Sequence, residues 1–172
     1  MIPVSATLRE RFGIELHDIS GAHVRGELPI SEAAVNRVLA ARLGSHSQIE
    51  SVQLRVEDGD AILALVTLRS RLVPSIPIRV RIATQPDFPN RPTLVLRWTM
   101  PGLGPLAMFA APVLALFNKL PPGMRTDGDR VMVDLRYLLE SRGLGELLPL
   151  IRSAAIHTRA GGFVVTFELG AS

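Results

Sequence analysis

The sequence predicts an α+β domain in which a curved antiparallel sheet wraps around two principal helices. Three observations lead there. Between Gln48 and Met100, apolar and polar residues largely alternate with period two and are punctuated by turn residues. Before that region, Ser31–Gly44 carries apolar residues at helical spacing behind a capping serine. After it, Pro101–Leu120 is the longest apolar run in the chain, with no charge until Lys119.

Taken in order, Ser5–Phe12 reads as a short helix with Ser5 as cap, and His23–Ile30 as a short strand. Ser31 then caps a helix. A capping box needs Glu or Gln three residues later, and that position is Ala34, so the cap is a simple one with Glu32 favoured in the first turn. Ala34, Val35, Val38, Leu39 and Leu43 form its expected buried stripe, and Gly44 ends it. Val52, Leu54 and Val56 alternate with Gln53, Arg55 and Glu57 up to an Asp58-Gly59 hairpin turn. The chain returns over Ala61–Leu68, apolar at most positions and hence covered. Ile76–Ala83 points Ile78, Val80 and Ile82 one way and Arg79 and Arg81 the other. Three prolines confine the turn before Thr93–Met100, where Leu94, Leu96 and Trp98 oppose Val95 and Arg97.

In Pro101–Leu120, Pro105 suits a first helical position and Pro112 interrupts the interior. Leu106, Phe109, Ala110, Val113, Leu114 and Phe117 make a large apolar stripe, and Ala107, Ala111 and Ala115 a smaller second face. A helix apolar all round is buried on every side, or covered by something other than its own protein. Thr126–Asp129 reads as a turn, Arg130–Leu135 as a strand, and Arg136–Leu150 as short helix and turn. Ile151–His157 and Phe163–Leu169 close the chain as a hairpin around Ala160-Gly161-Gly162.

The 172 residues suit one domain over 1–172, with 1–21 peripheral and 22–170 forming the sheet-and-helix core. The hydrophobic share is 47% with only 5% aromatics, and mean hydropathy is +0.27, so disorder is not expected. The absence of cysteine removes disulfides, thiol catalysis and cysteine metal sites. Net charge is +3, and since Lys119 is the only lysine, 18 of the 19 basic residues are Arg. Codon usage alone can produce that bias, although Arg also suits phosphate and carboxylate. The N-terminal twenty residues lack a signal-peptide apolar core. The apolar helix is too interrupted for a membrane span of about 20 residues. As the chain stands, a cytoplasmic or inner-membrane peripheral location is expected, and an envelope location if a leader has been removed.

Three features in this order carry a resemblance. The first is the strand-to-helix run Glu27-Leu28-Pro29-Ile30-Ser31 to Leu39, with Asn36 inside it. Four long antiparallel strands follow, and then an apolar helix introduced by Pro and Gly. The third is Asp129-Arg130-Val131-Met132-Val133-Asp134-Leu135 before a short helix and a terminal hairpin. Over residues 22–170 the chain resembles small bacterial envelope proteins related to the TULIP (tubular lipid-binding) superfamily. The resemblance implies a TULIP-like half-module, with a curved antiparallel sheet around helices and an elongated apolar groove for lipid or isoprenoid chains. Such proteins usually carry a leader or membrane anchor, and neither is apparent here.

The expected function is therefore non-catalytic binding of a lipid, acyl or isoprenoid chain. Leu54, Leu65, Val80, Leu96, Trp98, Met108, Phe109, Val113 and Phe117 are its candidate lining. The competing reading is that these residues only pack on each other as core. Arg79, Arg81 and Arg97, opposite the apolar positions, are the candidate head-group or anion site, with Arg55, Arg69 and Arg71 nearby. A solvated outer face explains the same pattern. No aromatics interleave with these arginines, so nucleic acid is not expected as a partner. The partners implied are an apolar small molecule, a membrane surface and a second copy of the chain.

Other motifs are weaker. Gly102-Leu103-Gly104-Pro105-Leu106-Ala107 fits a dinucleotide fingerprint, but that fingerprint belongs to a βαβ unit and these strands connect as hairpins. His17, His23, His46 and His157 are scattered without metal-ligand spacing. Ser45-His46-Ser47 suits a turn. Asp58/Asp60 and Asp127/Asp129 are too short for calcium loops and suit hairpins. No cofactor, metal or catalytic residue is expected. Two alternatives stand beside lipid binding. One is an oligomerising module whose apolar helix packs at a subunit interface. The other is a hot-dog-like acyl-thioester enzyme, for which the central helix supplies no carboxylate or histidine.

Overall fold

The computed structural model describes residues 23–43, 49–69, 75–101, 120 and 122–170. The helices expected over Ser5–Phe12 and within Pro101–Leu120 therefore lie outside the described residues, Pro101 and Leu120 apart. So do Gly44, Ser45-His46-Ser47 and Arg71.

The chain runs β1 (His23–Ser31), α1 (Glu32–Leu43), β2 (Ile49–Glu57), β3 (Ala61–Leu68), β4 (Ile76–Thr84) and β5 (Thr93–Thr99). It continues through β6 (Met124–Asp127), β7 (Arg130–Asp134), α2 (Leu135–Ser141), a 3₁₀ turn (Gly145–Leu150), β8 (Ile151–Arg159) and β9 (Gly162–Gly170). All strand pairings are antiparallel. The strands form two sheets instead of the one expected: a six-stranded sheet ordered β2-β3-β4-β5-β7-β6 and a three-stranded sheet ordered β1-β9-β8.

Two contacts account for the division. β1 finds its partner in the last strand, from His23↔Gly170 to Ser31↔Gly162. The free edge of β2 is meanwhile taken up by side chains from α1. Asn36 Oδ1 accepts the Leu54 N–H at 2.7 Å and Asn36 Nδ2 donates to the Leu54 carbonyl at 2.9 Å. Glu32 Oε2 accepts the Val56 N–H at 2.7 Å, and the Val56 carbonyl accepts from the Gly161 N–H at 3.2 Å. Backbone groups that an edge strand leaves open are thus satisfied without another strand.

Ser31 caps α1 as expected, its Oγ accepting the Ala34 N–H at 3.2 Å. The buried stripe needs correction at Val38, which is 60% exposed. Ala34, Val35 and Leu39 are half-buried. The helix meets an edge through Asn36 and Glu32, so its contact is narrower than a stripe laid on a sheet face. Two further corrections concern boundaries. Leu135 opens α2 and does not end β7, because Asp134 caps the helix by accepting the Tyr137 N–H at 3.1 Å. Thr126 and Asp127, expected within the Thr126–Asp129 turn, instead end a strand, Met124–Asp127, paired with β7, which leaves the turn to Gly128 and Asp129.

Two apolar clusters occupy the same face of the large sheet. One gathers Ile49, Ala64, Val66, Leu68, Ile76 and Ile78, with Ile49 and Ile76 fully buried. The other gathers Leu94, Val131 and Val133, with Leu138 of α2 and Ile156 of β8 packed against it. Each fully buried Ile or Val contributes about 1.5–3 kcal/mol by leaving water. Trp98 packs against both clusters and joins them.

The sheets meet at the turns. Asp58-Gly59-Asp60 connects β2 to β3 with positive φ at Gly59 (77°) and Asp60 (60°). Asp58 Oδ1 accepts from the Ala160 N–H at 3.0 Å and Asp60 Oδ1 from the Thr158 N–H at 3.1 Å. Thr158, 6% exposed, returns the contact by accepting from the Ala61 N–H at 3.2 Å. Gln85 grips Ile156 in the same two-handed way as Asn36 grips Leu54, donating to its carbonyl at 2.7 Å and accepting its N–H at 2.9 Å.

Candidate functional site

Register decides which predicted residues come together. Directly paired residues of neighbouring strands share a face. On the inner face, Leu54 pairs with Ala64 and Ala64 with Ile78. Val80 pairs with Trp98, and Ile82 with Leu96. The structure therefore brings Leu54, Val80, Leu96 and Trp98 onto one apolar face, all half-buried. Leu65 needs correction. It pairs with Gln53 and Pro77 on the opposite face and is 36% exposed. β3 lies inside the sheet and is apolar at almost every position, so alternation within it did not reveal which set turns inward. Met108, Phe109, Val113 and Phe117 lie outside the described residues.

The outer face is organised by charge. Arg81 of β4 pairs with Arg97 of β5, and Arg97 with Arg130 of β7, so three arginines stand side by side across three adjacent strands. Arg79 stands two residues from Arg81 and shares a row with Leu63 and Arg55. Arg125 of β6 pairs with Met132, two residues beyond Arg130. Six arginines therefore share this face, and all six are exposed. The predicted trio Arg79, Arg81 and Arg97 belongs to this set, as does Arg55. Arg69 is exposed beyond the end of β3.

Arg125 and Arg130 were missed. The inward alternation of Val131 and Val133 is the signal that could have placed Arg130 outward. Arg125 gave none, because its four-residue strand is too short and polar to show a period. Among the described residues, the carboxylates of the face are Glu57, Asp127 and Asp134, with Asp129 at the β6–β7 turn. Asp134 is engaged as the α2 cap. Asp129 Oδ2 lies 3.1 Å from Arg97 Nε, with the two side chains 49% and 55% exposed. A water-screened pair of this kind is worth at most about 1 kcal/mol.

His157 Nδ1 lies 3.6 Å from Asp60 Oδ1 at the seam between the sheets. The neighbouring hydroxyl, on Thr158, is committed to the Ala61 N–H, and Asp60 to the Thr158 N–H. The arrangement ties two turns together and activates no nucleophile. Among the described residues, no three His, Asp or Glu side chains converge in a way that could hold a metal ion. No described helix is long and apolar enough to cross a membrane.

The described depressions are small or shallow. One of 250 Å³ lies beside Thr93, Arg125, Met132 and Asp134 at the arginine face. Another of 160 Å³ lies between Phe88, Pro92, Arg136 and Leu148. A third, of 510 Å³, runs past Arg25, Glu27, Thr166 and Glu168 on the small sheet, where Arg25 and Glu168 form an ion pair at 3.3 Å. Compared with family models, curated proteins and solved structures, the chain matches none.

Proposed function

We propose that the protein is a non-catalytic binder of an apolar ligand, a lipid, acyl or isoprenoid chain, held against the inner face of the six-stranded sheet. The observation that carries the reading is the division of that sheet into one apolar and one arginine-bearing face. The inner face presents Val52, Leu54, Val80, Leu96, Trp98 and Met100, all half-buried and packed against the buried cluster residues of the same face. Six strands at about 4.8 Å spacing span roughly 24 Å, room for an extended acyl chain. Each methylene that leaves water contributes about 0.8 kcal/mol, from which the cost of ordering the chain is subtracted. A TULIP-like wrap of sheet around helix belongs to this reading.

Native mass spectrometry of the purified protein, followed by organic extraction and lipid analysis, tests it. A lipid retained at defined stoichiometry is the expected result and identifies the class. A bare mass, unchanged after incubation with phospholipid vesicles and with isoprenoid phosphates, refutes it.

A further inference from the structure

We propose that the arginine face of the six-stranded sheet docks on a membrane surface bearing anionic phospholipids. This surface is separate from the apolar face and does not depend on the ligand reading. Arg55, Arg79, Arg81, Arg97, Arg130 and Arg125 reach from β2 to β6, the two edges of the sheet. With five gaps of about 4.8 Å, the cations spread over roughly 24 Å of one surface. That geometry meets a plane of phosphates better than a single bound anion, which needs donors converging on one point.

Among the described residues, the carboxylates do not cancel the charge. Six arginines face four carboxylates, Glu57, Asp127, Asp129 and Asp134, which leaves an excess of positive charge. The Arg97–Asp129 pair is half exposed, so a lipid phosphate can replace Asp129 without desolvating a buried ion.

The uncharged residues of the face select among anionic partners. Leu65, 36% exposed, lies between Gln53 and Pro77, and Leu63 lies between Arg55 and Arg79. Aliphatic side chains beside arginines suit a bilayer interface, where the guanidinium stays at the phosphates and the aliphatic part enters the headgroup layer. Single-stranded nucleic acid needs aromatic platforms for its bases, and the described strand residues on this face include no aromatic side chain.

Co-sedimentation with phosphatidylcholine vesicles, with and without phosphatidylglycerol, tests the proposal. Binding is expected only with phosphatidylglycerol and should weaken as salt is raised. Removing Arg81, Arg97 and Arg130 together as glutamines should weaken binding by about a hundredfold, at roughly fivefold per arginine. Asp129→Asn, which releases Arg97, should strengthen it. Arg25→Gln on the small sheet should leave it unchanged. Thermal melts of each variant establish that the fold is kept. Equal binding by the triple variant and the parent protein, absence of binding to anionic vesicles, or an equal loss in Arg25→Gln would each overturn the proposal. Displacement of the vesicles by oligouridylate would assign the face to nucleic acid and overturn it as well.

Discussion

Asn36→Ala isolates the contact that seals the edge of β2. The native side chain makes two hydrogen bonds to one residue, at 2.7 and 2.9 Å to the N–H and C=O of Leu54. Alanine leaves both backbone groups without that partner. An unsatisfied buried group costs about 1–3 kcal/mol. Leu54 is only half-buried, so water reaches these groups in part and the low end applies to each, about 2 kcal/mol together. For a chain of this size that corresponds to a fall in Tm of about 4–8 °C. Urea denaturation measures the total, and native-state hydrogen exchange at the Leu54 amide locates it. Asn36→Asp keeps the acceptor but sets a carboxylate against the Leu54 carbonyl, so it should cost at least as much as alanine. A change within about 0.5 kcal/mol, the range of ordinary surface substitutions, with unaltered Leu54 exchange, would refute the reasoning. It would mean that water satisfies the edge at Leu54 and that α1 is held by packing and by the Glu32–Val56 hydrogen bond.

Two other perturbations test the small sheet and its seam. Gly26 lies under the Phe167 ring, where an added Cβ would come 2.5 Å from Cζ. Gly26→Ala should cost about 1–3 kcal/mol by overpacking, and Phe167→Leu in the same chain should recover part of it in a thermal melt. Thr158→Val removes the acceptor of the Ala61 N–H in a buried site. A loss of about 1–2 kcal/mol in urea denaturation is expected, with Thr158→Ser losing clearly less.

What the sequence revealed was mostly local. The facing of β4 and β5 followed from strict alternation, Ile78/Val80/Ile82 against Arg79/Arg81 and Leu94/Leu96/Trp98 against Arg97, and the structure keeps every one of those faces. The Ser31 cap was equally legible, because a cap is decided within four residues. Leu65 was not, since a strand apolar on both sides carries no phase. Val38 was misread because helical periodicity assumes a helix lying on a face, whereas α1 attaches to an edge through two polar side chains. The roles of Asp58, Asp60 and Gln85 could not be read at all. Each forms its bond with a residue 71 to 102 positions away, and no local pattern encodes such a partner. The arginine face was half legible. Alternation placed Arg55, Arg79, Arg81 and Arg97 outward within their own strands, but only the pairing of β4, β5 and β7 aligned Arg81 and Arg97 with Arg130.

The pairing of β1 with β9 also sets a timetable for synthesis. Partners in that ladder are separated by about 130–150 residues, which a ribosome takes roughly 7–30 s to add. Every strand of the six-stranded sheet leaves the ribosome before β9 does, while β1 waits with Val24 and Leu28 unpaired. Ribosome-bound chains ending before Gly162 should therefore expose β1 to proteases and chaperones, and the protection of β1 should arrive only with the final strand.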